Sequence, residues 1–596
     1  MPRFSSAVLK QPRVVGAAVA VVAAAVYLNA LGNGLVWDDP IVLTRQLLAF
    51  RSLHDLIFLP RNIPQFSPDY YRPLTVASYL LDRQIGGASP FVFHLSVVLY
   101  HVITTALVFA AGLVLFGGVP QRVVAAGLGA MLFAVHPIHS ESVAWGAGRS
   151  DVLACGLSLA GLLVYGRPQG RAWQRSALAA ALVFLATLAK ETAVVLFVLV
   201  PATDLLRAPP SRSSAAGENR AQRRRAPAPP LRAWTPLPYA PFAVLLIVYF
   251  GLRHATLGST LGPTTTLSGA TLPRMSAAVG VYLGKLVVPV YQNAYISELP
   301  SGVLVHAGTA AAVVLLGAIA LRAWQRGERV VSFLIGWIGI TIAPSLVIVF
   351  KIPSAPVAER YLYLPSVGFC LLLGYWIARL AERPSRRAAI LAAFTAVCAL
   401  AGIATVRRNA VWRSNLSLWQ DTVVKNTSQG LPARSLGTAY QEKGDAAQAF
   451  AYFQLALQRH NDPAGLFTIH NNLGSLAMAA HKLDDAERSY RAALANNPQA
   501  ADAIFNLGLI ALTRAREDDS TRDAAWRRAQ AEQARQLFAQ AEQLSPLDPD
   551  IQVGLGQTFS TLGDAAAARQ HLERALQLGV SADTATAVRR LLADLQ

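Results

Sequence analysis

At 596 residues the chain has room for several domains, and 53% of it is hydrophobic, with a mean hydropathy of +0.37. That balance excludes a wholly soluble protein of this size. The formal net charge of +19 does not call for nucleic acid, because much of the arginine lies between apolar runs, where positive charge sets membrane orientation. The three cysteines, Cys155, Cys370 and Cys398, sit in apolar stretches and form neither a disulfide framework nor a metal-binding spacing.

Apolar runs fill the chain to about residue 406, after which Asn, Gln, Asp, Glu and Arg rise sharply. The expected fold is all-α: a polytopic membrane domain over 1–406, then a soluble domain over 407–596. Spans of bilayer length fall near 14–31, 91–116, 120–139, 149–166, 176–190, 191–206, 236–256, 302–321, 330–350, 360–381 and 388–406, about eleven in all. Arg3, Lys10 and Arg13 precede the first, which reads as an uncleaved span because no convincing cleavage site follows it. Four connections are arginine-rich: Arg167 to Arg175, the Pro-, Ala- and Ser-rich loop 207–233, Arg322 to Arg329, and Arg383 to Arg387. The loop 207–233 reads as disordered. The positive-inside rule places all four, and the N-terminus, in the cytoplasm. The stretch 274–290, with Arg274, Lys285 and Pro289, reads as an interfacial or re-entrant helix.

This topology gathers the unusual polar groups on the other face. Val36-Trp37-Asp38-Asp39-Pro40 follows the first span. Adjacent carboxylates at a membrane boundary can hold a cation or take a proton from a hydroxyl, although Asp and Pro also suit a plain solvated turn. The long loop 33–90 carries Pro68-Asp69-Tyr70-Tyr71-Arg72-Pro73-Leu74, where Tyr71 and Arg72 suit a phosphate or serve as an interfacial anchor. His94 and His101 share a face of the second span; His94 can reach the site, and His101 is placed to bond a neighbouring helix. His136, His139 and Glu141 at the end of the third span could ligate a divalent metal ion or form a rim that holds Asp38 or Asp39. Arg149 and Asp151 could pair with each other. Lys190-Glu191 is either a self-satisfied ion pair or a cation for a lipid phosphate, and Arg360 is either a phosphate ligand or the partner of Glu359.

Beyond residue 407 the period changes. Leu436-Gly437, Leu473-Gly474, Leu507-Gly508 and Leu555-Gly556 recur, and Leu473 and Leu507 are 34 residues apart, the tetratricopeptide repeat length. Small and large residues follow each pair in the expected places, as in Ala486, Tyr490 and Ala493. Units are expected near 430–463, 467–500, 501–548 and 549–582, with an extra polar segment at 516–528 and a partial leading repeat over 412–424. Such α-solenoids present a concave surface to a peptide or protein partner.

Taken together, Asn33-Gly34-Leu35-Val36-Trp37-Asp38-Asp39, Tyr71-Arg72-Pro73-Leu74, His136-Pro137-Ile138-His139-Ser140-Glu141, Gly148-Arg149-Ser150-Asp151, Ala189-Lys190-Glu191 and Ala358-Glu359-Arg360-Tyr361-Leu362-Tyr363-Leu364-Pro365 resemble, in order, the motifs of a known family. This is the transmembrane and tetratricopeptide repeat-containing O-mannosyltransferases, of the GT-C glycosyltransferase superfamily. The resemblance runs from about 29 to 596. It implies a GT-C-type enzyme that moves a mannose-like hexose from a polyprenyl-phosphate carrier to a protein or glycan hydroxyl on the non-cytoplasmic face. By the same resemblance, the catalytic carboxylate is Asp38 or Asp39, with Glu141 next in line. Tyr71, Arg72, Lys190 and Arg360 would serve the donor phosphate, with no certain cofactor beyond a candidate divalent metal. The Ala- and Arg-rich vocabulary suggests a bacterial relative, in an inner membrane with the repeats periplasmic. The competing reading is a non-catalytic, membrane-anchored repeat scaffold.

Overall fold

A computed structural model describes residues 11–58, 70–167, 169, 171–207, 237–258, 269, 271–517 and 521–595. The arginine-rich loop 207–233, Pro68 and Asp69 thus lie almost wholly outside the described residues. Among the described residues every named element is helical. The chain divides into two compact units, Met1–Lys425 and Asn426–Gln596.

The first unit is a helical bundle. Its principal helices are α1 (Pro12–Ala25), α2 (Pro73–Gly86), α3 (Pro90–Leu115), α4 (Arg122–Val135), α5 (Arg149–Gly166), α6 (Ala172–Ala189), α7 (Ala240–Leu257), α8 (Thr271–Val287), α9 (Val303–Gln325), α10 (Arg329–Ile342), α11 (Tyr363–Leu380) and α12 (Pro384–Val411), followed by a short α13 (Asn415–Val423). Proline starts α1, α2, α3 and α12, where its missing N–H has no intrahelical partner to lose and its φ is already helical. Among the described residues nine helices are long and apolar enough to cross a membrane, and α4 with the bent 137–144 segment makes a tenth.

The expected sixth span, 191–206, is not a continuous helix. Lys190 is extended (φ −155°, ψ 129°), and the chain continues as a 3-10 turn, Glu191–Val195, then Leu196–Ala202 and Asp204–Arg207. Pro201, with no N–H to donate, helps to end the middle piece. The run still travels the length of the bundle. Lys190 meets Asp151 in the first turn of α5, and Asp204 accepts from the Tyr165 hydroxyl (2.6 Å) in its last.

Glycines set the closest helix contacts. A Cβ on Gly374 of α11 would lie 2.4 Å from the Ala125 carbonyl and the Gly129 N of α4, and one on Gly129 would lie 2.9 Å from the backbone of Cys370 and Leu371. The two helices therefore touch backbone to backbone around Gly129 and Gly374, inside the hydrophobic core. By contrast, α8 lies at one end of the bundle. Its first turn reaches Pro353 through Arg274 (3.0 Å) and its last reaches Glu359 through Lys285 (2.7 Å), so both ends touch the same connector.

The second unit is a stack of helix pairs: α14 (Gly430–Glu442) with α15 (Ala446–Leu457), α16 (Pro463–Ala479) with α17 (Leu483–Asn496), α18 (Ala501–Arg516) with α19 (Ala524–Leu544), and α20 (Pro549–Leu562) with α21 (Ala565–Leu578), closed by α22 (Ala582–Asp594). The Leu-Gly signature has a steric cause. A Cβ on Gly437 would meet Phe453 at 2.7 Å, on Gly474 Tyr490 at 2.7 Å, on Gly508 Phe538 at 2.8 Å, and on Gly556 Leu572 at 2.6 Å. Each large residue of a second helix thus seats on the bare glycine of its first. Asp445, Asp462, Asp523, Asp548 and Asp564 cap five of the helices by accepting backbone N–H bonds. The stretch 412–424 packs with the first unit, where Trp412 is fully buried and stacks on Trp145 (5.8 Å).

Substituting Gly508→Val places two methyl groups against the Phe538 ring, and overpacking of this kind costs about 1–3 kcal/mol. Thermal melts of the full chain should show lower stability for this variant, and limited proteolysis should cut first within 501–544.

Candidate functional site

The loop after α1 is tied to the end of α12 by the backbone. Gly34 N–H donates to Arg413 O (2.9 Å), Asn33 Nδ2 to Asn409 O (3.2 Å), and Trp37 N–H to Asn415 Oδ1 (2.8 Å). Trp37 takes a left-handed conformation (φ 57°), which a bulky side chain adopts only when its surroundings enforce it. Here the enforcing contacts are rings: Trp37 stacks on Trp145 (5.2 Å, 18°), sets its edge against Trp419 (5.3 Å), and Trp145 in turn stacks on Trp412.

This turn separates the two acids. Asp39 is fully buried, accepting Ala147 N–H at Oδ1 (2.7 Å) and Val36 N–H at Oδ2 (3.2 Å). Burial raises its pKa to about 7, against the pull of those N–H donors. A Cβ on Gly146 would lie 3.1 Å from Asp39 Oδ1, so glycine is what lets this carboxylate approach the 146–147 backbone. Asp38 is exposed, and among the described residues its carboxylate has no hydrogen-bond partner. Its crowded setting raises its pKa, and the nearby Arg360 guanidinium lowers it in part.

The cations come together at the same end of the bundle, each backed by a carboxylate from another segment. Arg72 grips Glu191 with two bonds (Nε–Oε2 2.8 Å, Nη2–Oε1 2.5 Å) while stacking on Tyr70 (4.3 Å). Lys190, almost fully buried, bonds Asp151 (2.5 Å). Arg360 binds Glu141 through Nη1 and through its backbone N–H (3.0 Å). Lys190 and Arg360 both face the Tyr361 ring, at 4.7 and 5.0 Å, and Arg360 also lies 5.4 Å from the Trp145 ring.

Three pairings suggested by sequence adjacency are replaced. Arg149 does not pair with Asp151 but with Asp82 (2.5 Å); Lys190 does not pair with Glu191; and Glu359 takes Lys285 rather than Arg360. Consecutive side chains at a helix start point in different directions and meet different neighbours.

The histidines are committed elsewhere. His136 accepts Ile138 N–H at Nδ1 (3.3 Å), so its Nε2–H donates to Leu286 O (3.1 Å), leaving no lone pair for a metal. His139 Nε2 meets Ser366 Oγ (2.8 Å), His101 Nδ1 meets the Tyr363 hydroxyl (2.7 Å), and His94 Nε2 meets Gly34 O (3.3 Å). Among the described residues no three His, Cys, Asp or Glu side chains converge as a metal site. The described residues thus offer no fitted set of ligands for a divalent ion. Nor do the histidines hold the acids; backbone N–H groups hold Asp39. Tyr71 is buried and turns toward Tyr249 (6.4 Å), whereas its neighbour Tyr70 touches the arginine. Tyr361, Trp145, Asp151 and Glu191 complete the cluster. Aromatic and acidic types beside the basic motifs were the only trace of them in the sequence.

A tetratricopeptide repeat model matches residues 471–520 and 523–582. Protein O-mannosyl-transferase TMTC3 of Homo sapiens is 24% identical over 94% of this chain and 63% of its own length. Protein O-mannosyl-transferase Tmtc1 of Drosophila melanogaster is 26% identical over 81% of this chain and 61% of its own length, and Drosophila Tmtc2 is 37% identical over 30% of this chain. The chain spans less than two thirds of the length of TMTC3 and Tmtc1. Among solved structures, a tetratricopeptide repeat protein of Thermus thermophilus is 21% identical over 28% of this chain and 80% of that one, with a TM-score of 0.23. Along nearly its whole length, then, the chain is TMTC-like, and it is a multi-pass membrane protein that carries tetratricopeptide repeats.

Replacing Asp39 by Asn keeps the shape but turns one N–H-facing oxygen into a donor, which should cost about 1–3 kcal/mol. The pH response should also change. The carboxyl releases its proton near its ordinary 3.8 when unfolded and near 7 when folded, so its contribution to stability falls as pH rises through that window. Melting temperatures followed from pH 4 to 8 should lose that slope in Asp39→Asn.

Proposed function

We propose that this TMTC-like chain is a membrane glycosyltransferase that moves a mannose-like hexose from a polyprenyl-phosphate carrier to a protein hydroxyl. The observation that carries the reading is the placement of Arg360 near an exposed carboxylate, Asp38, with Lys190 and Arg72 gathered with Arg360 around Tyr361. The homologues' names supply the sugar and the class of acceptor. The arginine-rich connections lie at the opposite end of α5, α6 and α11, which favours a cytoplasmic end there and a reaction on the other face, periplasmic in a bacterial inner membrane.

In this mechanism Asp38 is the general base. As the acceptor oxygen bonds to the sugar's anomeric carbon, Asp38 takes its proton, and the bond from that carbon to the phosphate oxygen breaks. The electron pair leaves with the carrier phosphate, whose growing charge is met by Arg360, Lys190 and Arg72. These cations are preset by Glu141, Asp151 and Glu191, so little reorganisation is needed during the reaction. Asp39 is a positioning residue that fixes the turn presenting Asp38. Glu141, engaged with Arg360, positions that arginine and is not the base. The repeats recruit the acceptor protein or a partner.

The test is transfer from a radiolabelled polyprenyl-phosphate mannose in membranes. Asp38→Asn should reduce labelling of protein by about 10²- to 10⁴-fold, the range for losing a general base, with an unchanged melting temperature. In the parent the rate should fall with acidification at a pH above the ordinary carboxylate value, since the protein crowded around Asp38 strips water from it and raises its pKa, and only its charged form accepts a proton. Full labelling in a folded Asp38→Asn variant sinks the assignment, and no labelling in the parent across several sugars favours the scaffold.

A further inference from the structure

The helix α12 is fully buried only in its final third, at Gly402, Thr405, Arg408 and Asn409; before it Phe394, Cys398 and Ala401 are half-buried against the core, and the mostly exposed remainder of Pro384–Ala401 leaves a gap beside α1 and α4. The gap is a cavity of about 1000 Å³ whose lining is almost wholly apolar, including Val19, Val22, Leu128, Met131, Phe394 and Cys398. It extends from Arg387 to Arg407, twenty residues of helix or about 30 Å, the thickness of the hydrocarbon layer. An apolar gap of this size, open to the bilayer along its side, is filled by hydrocarbon and not by water.

The two ends of the gap differ. At the Arg387 end three helices begin together, and Arg13, Arg122, Arg383 and Arg386 are exposed around the mouth, with the carboxylate of Glu382 beside them. Among the described residues the Arg387 side chain, which lines the groove, has no hydrogen-bond or ion-pair partner. We propose that this groove is a binding site for one anionic phospholipid, its acyl chains lying between α12 and the α1–α4 pair and its headgroup phosphate held by Arg387. The headgroup end of this groove lies at the opposite end of these helices from the acidic cluster. An uncharged or zwitterionic lipid would fill the same volume without answering the basic mouth, so charge selects the occupant.

Native mass spectrometry of the full chain in detergent, titrated with phosphatidylglycerol and with phosphatidylethanolamine of identical chains, tests this. Phosphatidylglycerol should bind at least about fivefold more tightly, the contribution of one arginine at a membrane surface. Arg387→Gln should remove about that factor for phosphatidylglycerol and weaken phosphatidylethanolamine less, because its ammonium already offsets the phosphate charge, so the preference between the two lipids should shrink. Ala399→Phe, which fills the groove away from the packed final third of α12, should lose both lipids at an unchanged melting temperature. Inorganic phosphate should not displace the bound lipid. Equal binding of the two lipids, unchanged binding in a folded Ala399→Phe variant, or displacement by phosphate alone would each overturn the proposal. A dimer abolished by Ala399→Phe would assign the groove to a second copy of the chain and overturn it as well.

Discussion

Charges taken out of water need partners, and at the site end of this bundle five ion pairs join distant segments. Asp82 meets Arg149, Asp151 meets Lys190, Glu191 meets Arg72, Glu141 meets Arg360, and Glu359 meets Lys285. Neighbours in sequence sit in successive pairs: Arg149 and Asp151, Lys190 and Glu191, Glu359 and Arg360. The pairs therefore form two chains of contacts that tie α2 to α5 and the Lys190 junction, and the bend after α4 to the start of α11 and to α8. Removing one member leaves a buried charge unmatched, at a cost of about 3–5 kcal/mol. That constraint holds the end of the bundle together where helices stop and backbone packing alone would be loose.

The same constraint explains what could and could not be read in advance. The repeats were legible because their cause is local: a glycine at a fixed spacing from a large side chain, as Gly474 is from Tyr490. The positions of Asp38, Arg72, Lys190 and Arg360 were legible as polar groups at the ends of apolar runs. Their partners were not, because a sequence shows Lys190 beside Glu191 and cannot show that the chain turns extended there and sends them to Asp151 and Arg72. The division of labour within Asp38-Asp39 was likewise hidden. It depends on Gly146 admitting a carboxylate to two backbone N–H groups, one of them over a hundred residues away. The tryptophans at 37, 145, 412 and 419 carried no periodicity to mark them as one stack.

A pair of adjacent acids thus becomes two different chemical groups. Asp39 spends its lone pairs on the backbone and behaves as part of the scaffold. Asp38, set between the strained Trp37 and Asp39, keeps its lone pairs for whatever enters. Burial and charge act on both, but only one remains within reach of solvent.

The glycine seam between α4 and α11 has a further meaning for how the molecule responds to its membrane. Where Gly129 meets Gly374 the two backbones touch directly, and a close-packed contact of that kind favours the helices tilting together. Glu141 follows closely on one of these helices and Arg360 directly precedes the other. A bilayer that thins or thickens will lean the pair without parting the two residues it carries. The spacing at the mouth of the site is thereby tied to a contact deep between the helices, at Gly129 and Gly374.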